Sequence, residues 1–311
     1  MNKIVLTAVV FFLFVFNTNA QEKYLLKNRY PEGTYEMKTE TEMNMLVKMG
    51  EQIVPNQQSQ TQYQHIVAGP IKPDGSQEVI TEIYRIATKQ NVNGRNIEFD
   101  SAAENAKNSP LRMLGVMVGL KVTMTFDQDG KIAKVEGIDE FLEKVSASFP
   151  KPVFDMMKKQ LSDKAMTKTF DALRDAMPSQ PVAIGEKWNS ESQSEIPIIG
   201  KIKTELQNTL KAIQQTEGKE LAEIESQSQI KSDKSQEINM GAAQMTFKNA
   251  DINSESTIQM EIKTGLVVSN VTKMKINMEA EITANNQTMK QNMSGEGKTA
   301  ITVTRSKKSE E

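Results

Sequence analysis

The chain has no cysteine, one histidine and one tryptophan, and aromatic residues make up only 5% of its 311 positions. Each shortage closes a class of function. Without cysteine there is no disulfide framework and no thiolate. With His65 alone, the usual zinc sets and the Ser–His and Cys–His dyads lack their parts. No cofactor and no metal is expected from these residue types. Charge of one sign is missing too: 38 Lys and Arg face 40 Asp and Glu, a formal −2 at pH 7 that becomes −3 if Lys3 is removed. Neither value gives the basic footprint that nucleic acid or an anionic membrane would require. No apolar run after the first 20 residues is long enough to cross a bilayer, which needs about 20 residues.

The opening "MNKIVLTAVVFFLFVFNTNA" reads as a cleavable export signal. Lys3 supplies the basic start, Ile4 to Phe16 the apolar stretch, and Thr18 and Ala20 the small residues before a cut after Ala20. With no cysteine to carry a lipid, the mature protein is expected to be periplasmic or secreted and not lipid-anchored. Methionine, in contrast, is plentiful at 19 residues. Its flexible thioether fills irregular apolar gaps and also suits surfaces that accept varied apolar partners.

Period-two alternation dominates. In "GLVVSNVTKMKINMEAEITA", Gly265 to Ala284, the even positions are nearly free of charge, while the odd set holds Lys273, Lys275, Glu279 and Glu281. From Tyr35 to Met49 the odd positions repeat the pattern, with Met37, Met43, Met45 and Val47. Thr61 to Val67 reads as the returning strand, and "KPDG" and "TFDQDGK" supply turns. A strand as long as Gly265–Ala284 must curl, bend at a bulge, or break near Asn270. The middle changes period. Ser109-Pro110 opens a short helix carrying Leu111, Leu114, Met117 and Val118, and Met166, Phe170, Leu173 and Met177 form an amphipathic stripe stopped by Pro178. Lys231 to Ala250 reads as polar loop with one short strand. The expected architecture is α+β: one long, curved antiparallel sheet forming an open half-barrel over residues 21–304, with a central helical insert at about 138–177. Residues 305–311 read as a disordered tail.

Several motifs match only as strings. "SGEGKT" at Ser294–Thr299 lacks the first glycine of a phosphate-cradling loop and opens no helix. Ser228-Gln-Ile-Lys231, Ser232-Asp233-Lys234 and Lys263-Thr264-Gly265 resemble the three signatures of serine acyl-enzymes. Ser228, however, falls in an alternating strand rather than at a helix start. Asp127-Gln-Asp129-Gly130 is turn chemistry, since the glutamate a calcium loop needs falls at Ile138.

"VTMTFDQDGKIAKVEGIDEF", "AMPSQPVAIGEKW" and "MEIKTGLVVSNVTKM" together resemble an uncharacterised family, a domain of unknown function, of exported bacterial proteins common in Bacteroidetes. The likeness rests on Phe126, Gly130, Gly137, Pro178, Pro181, Gly185, Trp188 and Gly265 and covers most of the chain after residue 20. It brings no catalytic residues. The overall plan is similar to the periplasmic lipoprotein-carrier half-barrel, a likeness of fold alone.

Three readings follow. The first is an exported protein that binds a hydrophobic or lipid-like ligand on a concave, methionine-rich face, with Met43, Met45, Met124, Met260, Met274, Ile276, Met278, Met289 and Met293 as lining residues. The second is a non-enzymatic envelope scaffold or protein-interaction module in which that face is closed core, its partner another envelope protein. The third, a serine acyl-enzyme using Ser228, lacks its structural context.

Overall fold

A computed structural model describes Glu22 to Ser306 except residues 147–150, 152–153, 156–157, 159–160, 173–176, 197–199, 233–235, 240–242 and 285–286. The export signal and residues 307–311 of the expected tail lie outside the described residues. In chain order the elements are β1 (Lys23–Tyr24), β2 (Gly33–Met49), β3 (Gln52–Ala68), β4 (Gln77–Val92), β5 (Arg95–Asp100), β6 (Lys121–Phe126) and β7 (Ile132–Glu136). Helices α1 (Ile138–Val145) and α2 (Asp163–Ala172) follow, then β8 (Val182–Ala183), β9 (Lys187–Ile196), β10 (Gly200–Thr216), β11 (Lys219–Ser232) and β12 (Gln236–Asn239). Three long strands close the chain: β13 (Ala243–Glu261), β14 (Val267–Ala284) and β15 (Gln287–Arg305).

Thirteen strands form one antiparallel sheet in the order β7-β6-β4-β3-β2-β15-β14-β13-β11-β10-β9, with β5 added to β4 and β12 to β13. Its two end strands do not pair with each other, so the sheet is open. Helix α2 packs against both β7 and β9, the two ends of that order, so the base of the sheet is rolled around one face. We call this the inner face; Tyr35, Ile66, Val79, Leu210, Ile224 and Met260 point into it and are fully buried.

The base is sealed by the segment before β2, by the two helices and by a covering loop. Residues 24–32 cross beneath the strands: Leu26 sits among Val182, Leu210, Ala222, Ile224 and Met260. Tyr30 packs edge-on against Tyr35, with ring centroids 6.0 Å apart, and against Phe126 at 6.1 Å. That crossing explains two glycines: a Cβ on Gly265 would land on the Lys27 carbonyl, and one on Gly130 on the Asn28 carbonyl. At Gly265 the φ of +78° adds a conformation that side chains disfavour. Helix α1 buries Ile138, Phe141 and Leu142, spaced i, i+3 and i+4, and its first amides donate to Asp163 Oδ1 at 2.8 and 3.3 Å. Asp163 thus caps α1 from another helix, where Gly137 has no side chain to do so. Finally, Ile83, Ile86 and Phe99 are covered by the loop after β5.

Several expectations change. Ser109-Pro110 opens no α-helix; the segment makes two 3-10 turns, Ala106–Asn108 and Arg112–Met117, with Ser109 Oγ donating to the Glu98 carbonyl. Strand β14 does not break at Asn270, but it does bulge close by: Val268 is the extra residue opposite Gln259/Met260, while the other bulge lies in its partner β13 at Phe247/Asn249. The polar stretch from Lys231 to Ala250 contributes the end of β11, β12 and the start of β13, because Ser, Gln and Thr pair in a ladder as readily as apolar residues. The first two described residues of the expected tail are held by the sheet: Arg305 closes β15 and reaches the Glu32 carbonyl, and the Ser306 amide donates to the Thr34 carbonyl.

Candidate functional site

The registers place the inner-face residues in transverse rows. One row runs unbroken through ten strands: Trp188, Asn208, Ser226, Ser256, Thr272, Thr299, Thr41, Gln60, Thr88 and Phe99. Between its aromatic ends every side chain is polar and none is charged. Its hydroxyls pair across strands, Thr41 with Thr299 at 3.2 Å and Ser256 with Thr272 at 2.8 Å. One row further from the base, Ser228 and Ser254 pair at 2.7 Å.

Below this belt lies the sealed core. Above it, the centre of the face becomes apolar. Met274 and Met43 stand on β14 and β2, then Ile252, Ile276 and Met45, then Met278, Met293 and Val47. Gly297 and Gly295 occupy the intervening positions on β15. A Cβ on Gly297 would come within 3.0 Å of Met274 Cγ, and one on Gly295 within 3.0 Å of Met45 Cγ. The two methionines therefore lie flat across the glycine strand. This explains why "SGEGK" is written with glycine at every second residue, and it gives the methionines a packing role that a branched side chain could not fill.

The nine nominated residues separate by height. Met260 is 0% exposed in the sealed core, and Met124 is half-buried against the core clusters at β6 and β7; neither is available to a ligand. Met289 is 51% exposed near the β14–β15 hairpin. Met43, Met45, Met274, Met278 and Met293 are half-buried and Ile276 is buried, all on the apolar patch above the belt. None of these six belongs to the core clusters of the base.

The absence of charge extends across the whole inner face. From the level of Met37 to that of Met278, the inward rows of the described strands contain one charged side chain, Arg95, at the margin on β5; at the base, Arg305 shares the row of Tyr35. Strand β3 shows this most clearly: Gln58, Gln60, Gln62 and Gln64 point inward, while Tyr63, His65 and Val67 point outward. His65 is thus not core. Its Nδ1 lies 2.6 Å from Glu36 Oε1 and its ring stacks on Tyr84 at 4.1 Å, on the outer face. Burial, together with the neighbouring Glu36, pushes the Tyr84 phenol above its usual range. Beside it Arg85 pairs with Asp100 through two bonds of 3.1 and 2.6 Å and holds that carboxyl below the usual carboxylate range.

The expected concavity lies on the other side. A broad trough of about 1190 Å³ crosses seven strands, and its walls take Glu42 and Asn44 but not Met43 between them. Along its length Glu191, Glu205, Glu255, Lys273, Lys275 and Glu296 supply the walls, and residues between the outward pairs, such as Leu206, Ser254 and Met274, also touch it. It opens on the charged outer face. Met274 is the one nominated residue that touches it. The sheet is therefore rolled inward at its base and outward at mid-height, as a strongly twisted sheet can be. The prediction of a methionine-lined concave wall is corrected at this level: the apolar patch is broad, and the hollow behind it is polar.

No acyl-enzyme geometry forms. Ser228 lies in β11, with its hydroxyl bonded to Ser254, and the Lys263-Thr264-Gly265 turn sits at the sealed base. Among the described residues, no group of His, Asp and Glu could hold a metal, and no helix is long and apolar enough to cross a membrane.

Residues 74–267 match the model of a family of unknown function, DUF6263. The chain belongs to that family. No curated protein matches the sequence. Among solved structures, a lipovitellin structure concerned with lipid–protein interactions is 8% identical, with a TM-score of 0.45; the match takes in 91% of this chain but only 26% of lipovitellin's. An outer-membrane channel of Pseudomonas putida is 4% identical over 89% of this chain and 97% of its own, with a TM-score of 0.26. An exported protein of Bacteroides fragilis with a YmcC-like fold is 8% identical over 88% and 97%, with a TM-score of 0.14. None of these reaches a TM-score of 0.5, so function must be argued from the faces of this molecule.

Proposed function

We propose that this is an exported, non-catalytic binding protein that takes a hydrophobic or lipid-like molecule on the inner face above the hydroxyl belt. One observation carries the reading: the centre of that face is a contiguous apolar patch, without an ionisable side chain, in a chain whose opposite face is dense with Lys–Glu pairs. Exposed apolar patches of this kind mark binding surfaces. The flexible methionines suit a ligand of variable shape. Export rests on the sequence of residues 1–20. Native mass spectrometry of protein purified from its own host tests the proposal. Added mass that is lost on extraction with organic solvent is the expected result; bare polypeptide mass that stays bare after incubation with lipid extract would refute it.

A second reading, an envelope protein as partner, is favoured by one specific feature. Small-ligand sites are concave, and the hollow here lies behind the apolar patch rather than over it. A flat protein surface needs no hollow. The two readings part on the same measurement, since only the first gives a retained small mass.

A further inference from the structure

We infer that the hydroxyl belt is the head-group site of the proposed ligand and that the head group is polar but uncharged: an ester, an amide or a hydroxyl, as in an acylglycerol. This rests on the lipid-binding reading and adds the class of lipid.

A hydroxyl can donate one hydrogen bond and accept two, so a pair of hydroxyls joined by one bond still holds one free O–H and unspent lone pairs. The Thr41–Thr299 pair is of this kind, half-buried at the edge of the apolar patch and one row below Met43. On the adjoining strand Thr272 spends its hydrogen on Asn270 Oδ1 at 3.2 Å, leaving Ser256 to donate to it. Further along the belt, Thr88 is only 2% exposed and its Oγ1 has no hydrogen-bond partner. Buried polar groups are almost always satisfied, so an unspent hydroxyl in this row is a second, independent sign that the belt's capacity is not consumed within the protein.

Charge selects among head groups. A carboxylate or a phosphodiester laid on this face would lose its water without gaining a cation, because the inner rows around Thr41, Thr272 and Thr299 carry none. An uncompensated buried charge is costly, whereas an ester or hydroxyl needs only the donors and acceptors already there. A molecule with a neutral polar head and one or two chains then fits in one direction: the head at the belt, the chains running over Met274, Ile276 and Met278 away from the sealed base.

The test compares monoolein, oleate and phosphatidylglycerol with the same acyl chain, each added to the delipidated mature protein at pH 8, with displacement of the uncharged probe Nile red as readout. Monoolein is expected to bind about tenfold more tightly than either anion, the worth of roughly one hydrogen bond or unpaired charge. The double variant Thr41→Val/Thr299→Val, nearly isosteric, should weaken monoolein binding about tenfold while leaving Nile red affinity and the melting temperature in place. Equal affinity for monoolein and oleate overturns the neutral head, and monoolein affinity unchanged in the double variant overturns the belt as its site; either result leaves lipid binding standing. If neither Nile red nor any of the three lipids binds, this inference and the proposed function both fall. The wild-type comparison decides the matter even if the variant does not fold.

Discussion

The inner face of this sheet is one continuous surface that the molecule treats in two ways. Below the Thr41–Thr272 row, residues 24–32, two helices and a covering loop pack over it, and Met260 has no exposure there. Above that row the same strands, with the same alternation and the same methionine-rich composition, carry side chains that belong to none of the base clusters. Methionine on an alternating strand therefore does not by itself distinguish core from binding surface. What distinguishes them is the cover, and the cover comes from segments distant in sequence.

The sharpest way to break the comparison is to unseat the lower cover. Gly265→Val puts a Cβ onto the Lys27 carbonyl at a φ of +78°. It is expected to cost more than about 3 kcal/mol, as substitutions that combine strain with a backbone clash do. Urea unfolding measures it, and a loss near zero would mean that residues 24–32 do not close the base. Next in size is a matched pair of truncations on the same face. Met260→Ala, below the belt, should lose about 2–5 kcal/mol, the range for a fully buried side chain. Met278→Ala, above it, should lose about 1 kcal/mol. Equal losses would erase the distinction between the halves. Smallest is Lys275→Met on the outer face, where the side chain is 75% exposed and its nearest acid, Glu296, is 3.9 Å away. Its effect on stability should stay within about 0.5 kcal/mol.

Much of this was legible in the residues. Alternation from Tyr35 to Met49 and from Leu266 to Ala284 places the right side chains on one face, and Gly130 and Gly265 stand out as fixed points. The reason for those two glycines was not legible, since the segment that crosses them, around Lys27 and Asn28, has no periodicity of its own. Strand β3 misleads because Tyr63, His65 and Val67 look like its buried set; the pairing of Tyr35 with Ile66 turns them outward and the glutamines inward. The belt is invisible for the same reason. Each hydroxyl is unremarkable on its own strand, and only register, fixed by partners up to 258 residues apart, brings Thr41 to Thr299. The trough could not be read at all, because it follows from twist accumulated over seven strands rather than from any local pattern.

The central claim is that the uncharged upper half of the inner face binds apolar molecules while the charged face behind it does not. One paired titration tests it: Nile red against Met278→Lys and Lys275→Met, which alter opposite faces of one strand within three residues. The account predicts that Met278→Lys, which places a charge on the patch but can lift its ammonium to water, keeps the fold and loses most of the binding, while Lys275→Met binds as the wild type does. Equal binding by the two variants, or loss in Lys275→Met alone, would contradict it.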